Sequence, residues 1–326
     1  MGRSASGRVE RCFVGRIMMN EFETKNTTIR DLIILLALSV IWGSAFGAIK
    51  IAVEGTGPFT VAGVRSVLAL LAVGIYLGFR PSLLPPLKQL FTFRLVFVGI
   101  TGTMAPFLLI SWAELHVSSS LAGLLMASGP LITVLGGHFI TGDEKLSLQR
   151  FGGVVLGMGG VALLFIDGIR QMGASLIWAQ LALIGAASCY ASSNLSVRPL
   201  SHLSPPVIAG ASFVISSLIA VPLAIIIENP DISAFSLDVW AALFWLGFVS
   251  TGLAFSLRYM LIYSAGAGFT SNVGYLIPVV AVLIGWLVLD EPVELNKLVA
   301  LVMIVISIII AQRSSVIIRK DPRKLP

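Results

Sequence analysis

Apolar residues run through this chain in long blocks separated by short polar breaks. A helix that crosses a bilayer needs about 20 mostly apolar residues to span roughly 30 Å of hydrocarbon at 1.5 Å per residue. Ten blocks meet that need: 32–53, 59–79, 95–113, 118–140, 151–167, 176–197, 206–227, 239–262, 265–289 and 296–312. The fifth is short and carries Gly152, Gly153, Gly157, Gly159 and Gly160, which suits close packing against another helix better than contact with lipid. The breaks are turn-like (Gly55 to Pro58, Pro81 to Pro86, Gly142 to Lys145, Ser204 to Pro206), and no linker is long enough for a soluble domain. The pattern predicts an all-α membrane protein of ten transmembrane helices.

Composition agrees. Of 326 residues, 56% are apolar and only 12% charged, whereas a soluble domain carries about 25% charge. A water-soluble enzyme is excluded as a reading of the whole chain, because too few polar side chains remain to coat its surface. Two cysteines, Cys12 and Cys189, build neither a disulfide scaffold nor a four-ligand metal site. His116, His138 and His202 lie far apart, so no metal is expected, and no P-loop pattern points to ATP. No cofactor is expected.

The net charge of +6 reads as a topology signal, because nearly all of the 22 Lys and Arg fall on one side of the predicted membrane. With the N-terminus inside, that side holds the N-terminal tail, Arg80, Lys88, Arg94, Lys145, Arg150, Arg198, Arg258 and the C-terminal tail. The other side keeps Lys50, Arg170 and Lys297, while the loop with Glu228, Asp231 and Asp238 has no base. Both termini are therefore expected in the cytoplasm, with the protein in the cell (inner) membrane and nucleic acid excluded as a partner. Residues 1–31 and 313–326 read as cytoplasmic tails; the first has no signal-peptide core, and Met18 and Met19 offer a later start.

The chain also resembles itself at an offset of 147 residues: Pro58 falls on Pro205, Ala62-Gly63 on Ala209-Gly210, and Glu144 on Glu291. Pro130 falls on Pro278 with a slip of one. Five spans per copy is an odd number, so the copies, 32–167 and 176–312, enter the membrane from opposite sides. Such inverted repeats are a common build of secondary transporters, with the binding site between the halves.

Particular residues carry a family resemblance. Ile41-Trp42-Gly43-Ser44-Ala45-Phe46 leading to Lys50, then Arg65, Gly129-Pro130, Gly142-Asp143-Glu144 and the Gly-rich fifth span resemble an EamA-type domain. Ile277-Pro278 and Asp290-Glu291-Pro292 repeat part of it. The chain is similar over about 31–312 to the drug/metabolite transporter superfamily in its ten-helix form with two EamA domains. It departs at Cys189-Tyr190, where a Trp is expected, and at Ser212, opposite Arg65. The resemblance implies ATP-independent, alternating-access movement of a small metabolite, usually outward. The expected partners are that solute and the bilayer, and a homodimer stays open.

Ionisable groups inside spans cost about 2.5–3.5 kcal/mol if unpaired, so they point to function. Arg65 lies roughly 10 Å deep at 1.5 Å per residue and could hold a carboxylate or phosphate through its planar fork, or bond a neighbouring helix instead. Arg258 is expected to snorkel inward, and Lys50 and Glu114 to pair or be solvated outside. No carboxylate occupies the middle third of a span, so facilitated flux or exchange is favoured over proton coupling through a buried acid, while Glu114 at an outer mouth keeps coupling open. Trp112, Trp178, Trp240 and Trp286 read as an interfacial belt. Three helical faces could line a cavity: Trp42 with Phe46, Tyr190 with Asn194, and Asn272 with Tyr275. Pro106, Pro130, Pro222 and Pro278 permit bends. A channel or lipid scramblase on the same fold is the alternative, and an intramembrane enzyme would rest on Glu114 and His116.

Overall fold

The computed structural model describes residues 28–86, 89–90, 92–140, 147–170 and 174–318, and those residues are helical with no strand. The predicted tails lie mostly outside them, as does Glu144. Ten helices are present: α1 (Ile29–Gly55), α2 (Pro58–Gly78), α3 (Phe93–Glu114), α4 (Ser119–His138), α5 (Leu148–Arg170), α6 (Ala174–Ser196), α7 (Pro205–Glu228), α8 (Leu237–Gly266), α9 (Val273–Val288) and α10 (Leu295–Ile318). Eight are long and apolar enough to cross a membrane outright, and the described parts of α9 and α10 are shorter apolar helices.

Local chemistry explains the ends. A capping box between Thr28 and Asp31 starts α1, and Pro58 and Pro205 stand in the first turns of α2 and α7, where a missing N–H costs nothing. Gly266, at φ 86°, turns the chain sharply between α8 and α9, a conformation that suits glycine. Residues 100–104 of α3 and 245–253 of α8 widen into π-helix at corresponding places in the two repeats, a local form that recurs at functional sites.

The two halves exchange partners. In the first repeat α1 packs on α8 and α9; in the second, α6 packs on α3 and α4, and α2–α7 and α5–α10 pair across the pseudo-twofold axis. Ser66 and Ser216 hydrogen-bond at 2.7 Å on the α2–α7 seam. Small residues let the backbones approach: Gly160 of α5 leaves its Cβ position 3.2 Å from the Ala300 carbonyl and Ile304 of α10. Thus Gly157, Gly159 and Gly160 of the fifth span face α10, as close packing requires, whereas Gly152 is exposed with open space at its Cβ position.

Charge divides the bundle. One end, here the acidic end, holds Glu54, Glu114, Glu228, Asp231, Asp238, Asp290, Glu291 and Glu294. The opposite, basic end holds Arg30, Arg80, Arg94, Arg150 and Arg258, with Asp31 the lone acid there among the described residues, while the acidic end also holds Lys50 and Lys297. Trp178, Trp240 and Trp286 are 64%, 41% and 53% exposed near the acidic end, whereas Trp112 turns its ring edge to His116 at 5.1 Å.

Candidate functional site

A cavity of about 770 Å³ lies between the repeats. Trp42 and Phe46 of α1, Arg65 of α2, Thr103 and Phe107 of α3, Tyr190 and Asn194 of α6, Ser212 of α7 and Thr251 of α8 line it. It reaches the basic end at Val197, Ser201, Leu203 and Pro205. Toward the acidic end it stops at Ile49 and Ile110, above which Ala52, Val53, Val61, Ala113, Val117 and Leu121 pack into the main core. The cavity is therefore blind at one end.

Arg65 is its main electrostatic feature. The residue is 8% exposed, and its guanidinium carbon sits 3.9 Å from the centre of the Phe107 ring. Nε donates to Thr251 Oγ1 at 3.0 Å, and among the described residues this is the side chain's one hydrogen bond. A stacked, singly bonded guanidinium retains N–H donors for a carboxylate or phosphate in the cavity.

The repeat builds this junction twice. Gly247 of α8 lets that helix touch Arg65 and Leu68 of α2; Gly99 of α3 does the same against Ser212 and Ile215 of α7. In the second junction Thr103 Oγ1 donates to the Ser212 carbonyl at 3.2 Å. Phe107 lies under the guanidinium, while its counterpart Phe255 tilts against Tyr259 at 4.8 Å. Duplication placed like against like, and side chains broke the symmetry: a cation on one wall, a small hydroxyl on the other. Trp42 Nε1 donates to the Ser250 carbonyl at 3.0 Å, tying α1 to the π-helical part of α8.

Five of the seven sequence-selected residues (Trp42, Phe46, Arg65, Tyr190 and Asn194) line the cavity, and two do not. Asn272 is the N-cap of α9, and Tyr275 points its hydroxyl at the Ile308 carbonyl of α10, 3.5 Å away. The helix restarts at Val273 and turns Gly274, Ile277 and Pro278 to the cavity; Tyr275 stands about 100° round from Gly274. Arg258 is exposed at the basic end, as snorkelling predicts, and also lines the cavity there. Thr103, Phe107, Thr251 and Phe255 went unselected. Their signal is an offset of 148 residues, shared with Pro130 and Pro278, joining Thr103 to Thr251 and Phe107 to Phe255.

Two carboxylates close the acidic end, each joining one repeat to the other. Glu228, from the end of α7, accepts from the N–H groups of Phe59 (2.8 Å) and Thr60 (2.7 Å) and from Thr60 Oγ1 (2.6 Å) at the start of α2. Glu291, after α9, accepts from Ser119 N (2.7 Å), Ser120 N (3.0 Å) and the Ser120 hydroxyl at the start of α4. These are the orphan donors of helix N-termini, where negative charge is favoured. A Cβ on Gly57 would collide with the Glu228 carboxylate, and one on Gly285 with Ser120 and Glu291. Burial pushes the Glu291 carboxyl up, but the bonds from Ser120 and Ser119 outweigh it and hold the group below the usual glutamate range.

Lys50 makes a third tie. Its ammonium donates to the carbonyls of Glu114 (2.8 Å) and Val117 (3.5 Å) and pairs with Glu54 at 3.2 Å. Glu114 is not solvated, as expected, but 0% exposed, and neither carboxylate oxygen has a hydrogen-bond partner among the described residues. His116 is exposed with its ring against Trp112, so Glu114 and His116 do not form the acid–base pair that an enzyme reading requires. No cluster of metal-ligating residues occurs among the described residues.

A ten-helix bundle of two exchanged repeats around a blind polar–aromatic cavity is the build of a membrane transporter. The chain belongs to the EamA-like transporter family, whose model matches residues 30–166 and 176–312, one match per repeat. It is similar to the uncharacterized inner membrane transporter YedA of Escherichia coli K12, 26% identical over 279 residues, covering 85% of this chain and 88% of that protein. It is also similar to a probable terminal-alkyne amino-acid exporter of Streptantibioticus cattleyicolor, 28% identical over 166 residues, about half of each chain. A solved crystal structure, 19% identical, superposes with a TM-score of 0.62 over 92% of this chain and all of that one, a likeness of fold.

Proposed function

We propose that this transporter carries a small anionic or zwitterionic metabolite, an amino acid or organic acid, out of the cell without ATP, by alternating access. The observation that carries this reading is Arg65: a buried guanidinium with one protein hydrogen bond, set in the wall of a cavity between two repeats. A buried cation with donors to spare is satisfied by an anion of matching geometry. The distant amino-acid exporter is consistent with that class of cargo.

The basic end faces the cytoplasm in this reading, by the excess of Arg at that end. The cavity then opens inward, and the Glu228 and Glu291 contacts form the outer seal. Rocking one bundle against the other would break those contacts and bring α7 and α8 toward α3 at the inner end. A cavity blind at one end fits a carrier better than a channel. Because α1 packs on α8 and α9 and α6 on α3 and α4, each moving body draws helices from both repeats, 32–167 and 176–312.

The test is a thermal-shift panel on the detergent-purified full chain, with amino acids, organic acids, sugars, nucleotides and cationic drugs, in wild type and Arg65→Ala. A ligand at 100 times its Kd stabilises by about 2.7 kcal/mol if it avoids the unfolded state. An amino-acid or organic-anion hit lost in Arg65→Ala is the expected result. A cationic or neutral hit indifferent to the change removes Arg65 from the site and the anion from the reading.

A further inference from the structure

Glu114 has no place in the cavity described above, yet it is the most anomalous charged residue in the bundle. It ends α3 one turn beyond Ile110, the cavity's last lining residue on that helix. Its surroundings are closed by α1, α2, α4, α6 and the segment after α9. The charges within electrostatic reach are Lys50 and Glu54 of α1, Arg65 of α2, and Glu291. The N-terminal half of α4 brings only serines as polar groups, and α6 carries no Asp, Glu, Lys, Arg or His. His116, on the same chain segment, is exposed.

The nearest candidate partner is already engaged. Lys50 directs its ammonium to two backbone carbonyls and to Glu54, with no ion pair to the Glu114 carboxylate. A carboxylate shut away from water with no donor is strongly disfavoured, and such a group takes up a proton and becomes neutral. That neutral acid still forgoes hydrogen bonds it would regain in water, so the arrangement suits one conformation and is relieved in another.

We propose that Glu114 is a proton-binding site whose occupancy is tied to closure of the acidic end. While the end is shut, the carboxyl holds its proton; when the end opens, the O–H bond breaks, the proton passes to water, and Lys50 swings from the carbonyls to pair with the carboxylate. Closing reverses each step and takes one proton up. The proton is then a ligand of the closed form, and a gradient of pH across the membrane biases the gate. This inference rests on the two-conformation reading above and supplies the coupling ion that it leaves unnamed.

The experiment uses no transported substrate. Infrared difference spectra of the purified full chain are recorded through a pH titration, together with labelling by an impermeant maleimide of a Val117→Cys reporter in a Cys12→Ser, Cys189→Ser background; because maleimide reacts with the thiolate, each labelling rate is divided by that of the same chain unfolded in denaturant at the same pH. Val117 is 5% exposed at the closed end, so its labelling reports opening. One linked proton shifts the ratio of open to closed by up to about tenfold per pH unit. With Glu114 intact, a protonated-carboxyl stretch titrates away as labelling accelerates toward high pH. In Glu114→Gln, isosteric and neutral, that band is missing and the normalised labelling is flat with pH above the usual glutamate range. In Glu114→Asp the band returns, shifted. Spectra that are the same in wild type and both variants, or a pH dependence of the normalised labelling above the usual glutamate range that survives in Glu114→Gln, overturn the proposal. Either outcome leaves the transporter reading standing, because that reading falls instead on the ligand panel.

Discussion

The two ends of the bundle are built from the same repeat and behave differently. At the acidic end, carboxylates supplied by the second repeat sit on helix N-termini of the first, with three hydrogen bonds for Glu228 and three for Glu291. At the basic end the corresponding start of α7 has Ser204 as N-cap with no side-chain hydrogen bond, and the cavity mouth opens beside it. The pseudo-twofold axis maps Glu228 onto Pro81, and no Asp or Glu occurs between Glu54 and Glu114. The first repeat thus cannot return the Glu228 clasp, and Glu144, the counterpart of Glu291, lies outside the described residues. One cross-repeat bond does exist at the basic end, from Ser264 of α8 to the Asp31 carboxylate of α1, on the side away from the mouth. A fold that is symmetric in backbone becomes biased toward one open end through where a few charges stand.

Several substitutions would break or sharpen this contrast. The largest effect is expected from Glu291→Ala, which strands three donors in a half-buried place. At about 2–3 kcal/mol for the loss, opening at the acidic end rises on the order of 30- to 150-fold, read as maleimide labelling of Val117→Cys. Glu228→Ala acts in the same direction and less strongly, by about 1–2 kcal/mol, because the N-terminus of α2 is better hydrated once uncapped. Labelling then rises on the order of five- to thirty-fold; unchanged labelling in both variants would show that the core alone closes this end.

The converse change moves the other end. Ser204→Asp supplies the missing cap and a negative charge at the α7 N-terminus, worth about 0.5–1 kcal/mol. A cysteine placed at Ser201 in the mouth should still be labelled readily, with a higher melting temperature of the chain.

The smallest effect is one of pH. The Glu291 carboxyl lies below its ordinary range, so its contribution to closure is complete above the unfolded-state value and is lost as pH falls through the depressed folded value. In Glu114→Gln, labelling of Val117→Cys, normalised to the unfolded chain at each pH, should therefore be flat from neutral pH to the usual glutamate range and rise only below it.

Several features of this protein were legible along the chain. The ten apolar blocks appear as ten helices, because hydrocarbon permits few other ways to satisfy a backbone. The offset of 147 residues was enough to expect two inverted repeats, but not that they exchange helices, α1 packing on α8 and α9 and α6 on α3 and α4. Trp42, Phe46, Arg65, Tyr190 and Asn194 share the cavity because i, i+4 spacing puts side chains on one face and amides avoid lipid. The same rule misplaced Asn272 and Tyr275. It presumes an unbroken helix, and the turn at Gly266 together with the restart at Val273 resets the helical phase.

What the sequence by itself determined, then, is the class: length, hydropathy and duplication leave a multi-pass helical bundle in two repeats, since the bilayer acts on every residue alike and local pattern answers it. Only the tertiary structure decided which end is shut, which hydroxyl Arg65 engages, and that Glu114 stands buried without a partner. Those facts depend on residues more than 160 apart in the chain, as with Thr60 and Glu228 or Ser119 and Glu291. No periodicity carries such a pairing. It arises when a carboxylate and a helix N-terminus meet at one depth, where leaving either unpaired costs more than closing the gap.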